Sequence, residues 1–206
     1  MTDLMRVTSD LWGGKGTTSP QTAGLSSALR VQDAHGALTD AALGGRLYTA
    51  ANVAAQAVSV ALATTYTGLC VSNPLGNKWR LVMLGCNYAL SVAPAAIAPL
   101  FLLTGSSVST DVTHTTPLAT PGIQSALVGG LHASTAKADS AATIPTPTYR
   151  LSMGSGFTAG ALYGTTPNWI DLKGSLIIEP GGFICWGALT AVTGFGSFMW
   201  EEVPIV

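Results

Sequence analysis

Apolar residues along this chain recur at every second position in short runs, and glycine, proline and asparagine interrupt them. That period and that punctuation predict antiparallel strands rather than helices. The strands fall at residues 47–52, 57–63, 68–72, 79–92, 97–104, 149–153 and 168–172. The Ala-rich stretch 50–63 would also suit a helix, but the alternation of Val58, Val60 and Leu62 favours extended chain. In the longest run, Val82, Leu84, Cys86, Tyr88, Leu90 and Val92 take one side, and Leu81, Met83, Gly85, Asn87, Ala89 and Ser91 the other. Asn73-Pro74-Leu75-Gly76-Asn77 reads as a turn, because proline presets φ and Gly or Asn accepts a left-handed conformation. Pro99 marks an edge or a bulge.

The C-terminal third is patterned most clearly. Residues 174–179, 183–191 and 197–202 read as strands, with Pro180-Gly181-Gly182 and Thr193-Gly194-Phe195-Gly196 as the turns of two consecutive hairpins. Between residues 105 and 147 runs a long connection rich in Thr, Ser and Ala, with an apolar patch at 123–131. A connection that long is expected to be functional or partly ordered. Together these elements predict an all-β fold, an antiparallel jelly-roll-like β-sandwich over residues 47–206. Residues 1–46 hold eight of the nineteen charged side chains and a Gly-Gly-Lys-Gly-Thr-Thr-Ser-Pro segment, with little periodic apolarity. They read as an extended N-terminal arm, a flexible tail or one that orders on a neighbouring subunit, with a short helix around 22–30.

Composition changes the picture in one respect. Charged residues make up 9% of the 206 positions, against about 25% in ordinary soluble domains. Gly, Ala, Thr and Ser fill 95 positions. So few charges leave an isolated monomer weakly protected against association, so the exterior is covered by other subunits, dressed in uncharged polar residues, or both. A net charge of −1 offers no basic patch for nucleic acid. The N-terminus shows no basic region followed by an apolar stretch, so no secretory signal is expected. Residues 81–110 carry no charge and are long enough to span a bilayer, but Pro94, Pro99, Asn87, Ser91 and the two-residue period point to a strand and to no membrane partner.

Candidate chemistry is sparse. Cys70, Cys86 and Cys185 form no C-x-x-C and cannot all pair, so they read as reduced core thiols. His35, His114 and His132 sit in unrelated contexts, and no ligand pair recurs at metal-binding spacing. Gly13-Gly14-Lys15-Gly16-Thr17-Thr18 lacks the earlier glycine of a phosphate loop and has glycine where Ser or Thr should follow the lysine. Gly154-Ser155-Gly156 lacks the outer glycine spacing of a nucleophile elbow. Glu201 and Glu202 are adjacent, so on a strand they face opposite ways and cannot flank one glycosidic bond. The inward one needs a partner such as Arg46, Arg80 or Arg150. No catalytic, metal or cofactor residue is expected. Trp169, Trp186, Trp200, Phe183 and Phe198 read as core or subunit-interface residues, and Trp12 as a large aromatic in search of a pocket. Trp12, Arg46, Trp186, Trp200, Glu201 and Glu202 are the interface candidates.

The run Gly45-Arg46-Leu47-Tyr48-Thr49-Ala50-Ala51-Asn52-Val53-Ala54-Ala55-Gln56, the segment Cys70-Val71-Ser72-Asn73-Pro74, and Pro180-Gly181-Gly182 leading to Trp200-Glu201-Glu202-Val203-Pro204 resemble structural proteins of tailed bacteriophages. The resemblance covers residues 45–206 loosely. It implies a non-enzymatic head decoration, cement or fibre-like protein, commonly trimeric, made in the host cytoplasm and carried in the virion. Its partners would be its own copies and the major capsid protein or other virion proteins. Two other classes remain: a receptor- or glycan-binding fibre head using the 105–147 connection and aromatics such as Tyr149, and a hydrolase in which His114 or His132 meets a carboxylate.

Overall fold

The computed structural model describes residues 38–60, 62–96, 98–118, 122–153 and 169–205. The chain divides into two compact units, Met1–Asp40 and Ala41–Val206. Of the first, only residues 38–40 are described, so most of the expected arm, its helix at 22–30 and Trp12 lie outside the described residues. Residues 41–46, expected as the end of the arm, contain most of the one-turn helix α1 (Thr39–Leu43), after which the Arg46 amide bonds to the Ala41 carbonyl at 2.9 Å.

The second unit is an all-β sandwich of two antiparallel sheets. Its strands are β1 (Leu47–Ala51), β2 (Gln56–Val58), β3 (Thr65–Ser72), β4 (Trp79–Leu90), β5 (Leu100–Ser106) and β6 (Thr113–Pro117), followed by β7 (Ile123–Ser125), β8 (Lys137–Thr143), β9 (Thr148–Ser152), β10 (Ile170–Ile178), β11 (Gly182–Ala188) and β12 (Val192–Pro204). One sheet runs β10-β4-β12-β1-β7, with β2 also on β12, and the other runs β6-β8-β3-β11-β5-β9. Eight of these strands form a jelly roll. The pairs β1·β12, β3·β11, β4·β10 and β5·β9 nest like the rungs of one long hairpin. That hairpin is rolled up so that β12 also meets β4, and β11 meets β5.

Two consecutive C-terminal hairpins were expected, and the structure corrects this. Strands β10, β11 and β12 alternate between the sheets, so none is hydrogen-bonded to the next. The Pro180–Gly182 turn is present, with Gly181 at φ 82° and the Gly182 amide on the Glu179 carbonyl at 2.9 Å. A turn reverses the chain without choosing its partner. Gly194 and Gly196, expected in a turn, lie inside β12. A Cβ at Gly196 would sit 2.8 Å from the Trp186 ring, so this glycine allows close packing in a strand.

Strand β4 also departs from strict alternation. Its inward residues are Leu81 and Met83, then Cys86 and Tyr88. A bulge lies between, since Met199 opposes Gly85 and Trp200 opposes Met83, which adds one residue and exchanges the two faces. At the same level β10 bulges outward between Asp171 and Leu176, where Lys173 and Gly174 take left-handed conformations. Residues 168–172 and 174–179, expected as two strands, are therefore one strand that leaves β4 and returns to it.

The sandwich interior is filled by residues such as Met83, Tyr88, Leu102, Trp186, Phe198 and Trp200. β11 is buried on both faces. Ile184 and Trp186 join that interior, while Phe183 and Cys185 pack with Tyr66, Leu103, Val112 and Ile144. The last two belong to the long 105–147 connection, whose strands β6 and β8 extend this sheet beyond β3 and whose β7 pairs with β1 at the edge of the other sheet.

Candidate functional site

Burial separates the interface candidates. Trp186 and Trp200 are 1% and 0% exposed, so both rings are used in the core and neither is offered to a partner. Trp186 stacks on Phe198 at a centroid distance of 5.8 Å and lies 5.3 Å from Tyr88. Arg46 and Glu201 form an ion pair at 2.9 Å on the partly exposed outer face. Trp169, expected in the core or an interface, is about half exposed and lies over Gly85.

Glu202 is the inward member of the carboxylate pair, as β12's alternation requires, and among the described residues no arginine pairs with it. Its partners come from the end of the long connection. The Ser134 hydroxyl donates to Oε1 at 2.6 Å, the Thr135 amide to Oε1 at 2.9 Å and the Thr135 hydroxyl to Oε2 at 3.0 Å. The Ala136 amide also points at Oε1, at 3.4 Å. A buried carboxylate is stabilised by several convergent donors as well as by a cation. The network continues outward. Asn77 donates to Thr135 Oγ1 at 2.9 Å and to Asn73 Oδ1 at 2.6 Å, and Asn73 donates to the carbonyls of Trp79 and Ile178. Tyr48 adds its hydroxyl to the carbonyls of Gly45 and Ala133. The carboxylate thus fastens the loop to β12 and to the β3–β4 turn. Sequence reasoning identified a buried glutamate but missed its partners; the only available signal was the adjacent hydroxyls of Ser134 and Thr135.

His114, on β6, does meet a carboxylate. Its Nδ1 lies 2.6 Å from Oδ2 of Asp139 on β8, which is fully buried. Among the described residues, no serine, threonine or cysteine is hydrogen-bonded to this imidazole, so the pair has no attached nucleophile and acts as a strand-to-strand tie. No cluster of three metal-ligating residues occurs among the described residues. Burial raises the Asp139 pKa, and the hydrogen bond and charge of His114, with Lys137, offset this in part. A carboxyl whose folded pKa exceeds its unfolded one binds its proton more tightly when folded. Its stabilising contribution is complete below the unfolded pKa and is lost as pH rises through the folded one. The stability of the native chain relative to Asp139→Asn is therefore expected to fall as pH climbs from the ordinary carboxyl range through that raised value. Urea titrations at a series of pH values measure this, and a rise over the same window contradicts it.

The three thiols are buried and free. Cys70 and Cys185 face each other across β3 and β11, and their mutual hydrogen bond together with burial holds the Cys70 pKa well above the ordinary thiol value. Burial pushes Cys86 up to about 12. All three are expected to resist a thiol-reactive dye in the native protein and to titrate fully in denaturant. Rapid native labelling of any of them contradicts this placement.

One cleft, of about 310 Å³, lies between β5 and β9 on one sheet and β10 on the other. Thr104, Ser106, Thr148, Arg150 and Glu179 supply its polar groups, and Ile177 is among its apolar lining. Tyr149 packs against Phe101 at 4.9 Å and does not line it.

These sites belong to a jelly-roll β-sandwich with a charge-poor exterior. No family model, curated protein or solved structure matches the chain.

Proposed function

We propose that this protein is a non-enzymatic structural component of a bacteriophage particle. In this reading the jelly-roll subunit self-associates, as a trimer, and decorates or cements the capsid, or attaches to the tail, docking through its N-terminal arm. The observation that carries the reading is the jelly roll itself, an architecture used by capsid and lectin domains, built here from a chain with nineteen charged side chains. A surface so poor in charge is suited to being covered. The buried polar groups add support, because Glu202 and the His114–Asp139 pair are engaged in holding loops and strands together. Immunogold electron microscopy of the assembled particle tests the proposal. Regularly spaced label on head or tail is the expected result, and particles free of the protein would contradict it.

The cleft favours one second reading, a glycan-binding head. Its hydroxyls, Arg150 and Glu179 over apolar residues resemble the lining of small-ligand sites. Glycan-array binding that disappears in Arg150→Ala would support this reading, and an empty array would dismiss it.

A further inference from the structure

Charge is distributed very unevenly over the sandwich. Residues 47–77, 81–110 and 180–200 contain no Asp, Glu, Lys or Arg. The jelly roll brings the middle parts of these runs to one end. Ser59 accepts from the Ala188 amide at 3.3 Å, Pro99 from the Leu189 amide at 3.3 Å, and Thr193 from the Ser91 amide at 2.9 Å, so the β1–β3, β4–β5 and β11–β12 connections are braced against one another. Around these braces Val53, Val60, Leu62, Val92, Leu189 and Phe195 are each 42–67% exposed. The opposite end holds the Arg46–Glu201 pair, an Arg80–Glu179 pair at 2.7 Å, and Glu202 with its hydroxyl and amide donors.

We propose that this charge-free end is where copies of the chain meet. The inference rests on the self-association reading above and assigns it a surface. Charge complementarity selects the occupant. A partner bearing ionic groups would have to bury them here without counter-charges, which is costly. The matching surface must itself be uncharged and apolar, and this chain carries one. Contact between identical patches also requires self-complementarity, and an end without charges brings no like charges together.

The test uses the full chain. The doubly substituted Val60→Glu, Leu189→Glu protein is compared with Val108→Glu, which adds a charge beside the β10–β11 turn at the opposite end, where the Ser107 amide bonds to the Gly181 carbonyl. Light scattering is expected to give a multimer for the native chain and for Val108→Glu, and a monomer for the double variant that keeps the native far-ultraviolet circular dichroism and melts cooperatively, at a temperature lowered only by the loss of association. If the double variant keeps the multimer mass, the surface is wrong while self-association stands. If the native chain is monomeric at every concentration, both fail. A monomer that floats with neutral phosphatidylcholine vesicles, and loses this in the double variant, would overturn the assignment in favour of lipid. Leu189→Cys covers the case in which the double variant misfolds. Its alkylation by a bulky maleimide should slow by an order of magnitude from dilute to concentrated protein, with Val108→Cys unaffected, and equal rates for Leu189→Cys overturn the placement.

Discussion

Replacing Trp186 by alanine is expected to destabilise the sandwich by about 4 kcal/mol, the upper range for deleting a large buried ring. The indole is 1% exposed, stacks on Phe198, contacts Tyr88 and packs against Gly196 of β12. It therefore joins the two sheets, and the cavity left behind cannot collapse without moving one sheet toward the other. Among the described residues its Nε1 has no hydrogen-bond partner, so Trp186→Phe forfeits volume but none of these bonds and should cost roughly half as much. Enlarging the facing glycine is the complementary change, because a Cβ at Gly196 would overlap the ring. Gly196→Val should destabilise by about 2 kcal/mol through overpacking. Denaturant unfolding measures all three. A Trp186→Ala protein within about 1 kcal/mol of native would show that the ring does not join the sheets.

The second large effect is expected at Glu202. Truncation to alanine leaves the Ser134 hydroxyl and the Thr135 amide without their acceptor in a part-buried site, and it also removes the contact to the Ala136 amide. The loss of charge-assisted bonds and the stranding of donors sum to about 3 kcal/mol. Glu202→Gln retains one acceptor oxygen and should lose about half of that. The effect is also expected to be local. Because the carboxylate fastens residues 134–136 to β12, hydrogen exchange at the Thr135 and Ala136 amides should accelerate in Glu202→Ala more than exchange in β11 does. Equal acceleration throughout would mean that the glutamate acts on global stability alone. Arg46→Ala removes only the partly exposed ion pair with Glu201, so it should cost no more than about 1 kcal/mol.

The same two sites show how far the sequence can be read. The strands β1, β3, β4 and β9 and the Asn73–Asn77 and Pro180–Gly182 turns are local properties, and they lie near where the pattern places them, although the faces of β4 do not follow it throughout. Strand pairing is not local. The consecutive strands β10, β11 and β12 read as a meander because glycines at 194 and 196 resemble turn residues, and only the positions of Ala89 and Trp186 reveal their packing role. The β4 bulge is equally silent in the sequence, since it is set by the register of β12 and β10 against it. Adjacency made one of Glu201 and Glu202 face inward, but its partners lie 66–68 residues away in a Ser/Thr-rich segment with no distinctive spacing. His114 and Asp139 are separated by 25 residues for the same reason.

What unites the fold and the proposed role is a body whose exterior carries few of the ionic groups that keep proteins apart in water. Sedimentation equilibrium of the unmodified full-length chain, run from nanomolar to high micromolar concentration, tests that most directly. The expected outcome is a defined multimer, a trimer by the reading above, that persists to low concentration. A single monomeric species that stays dispersed across the whole range would contradict it.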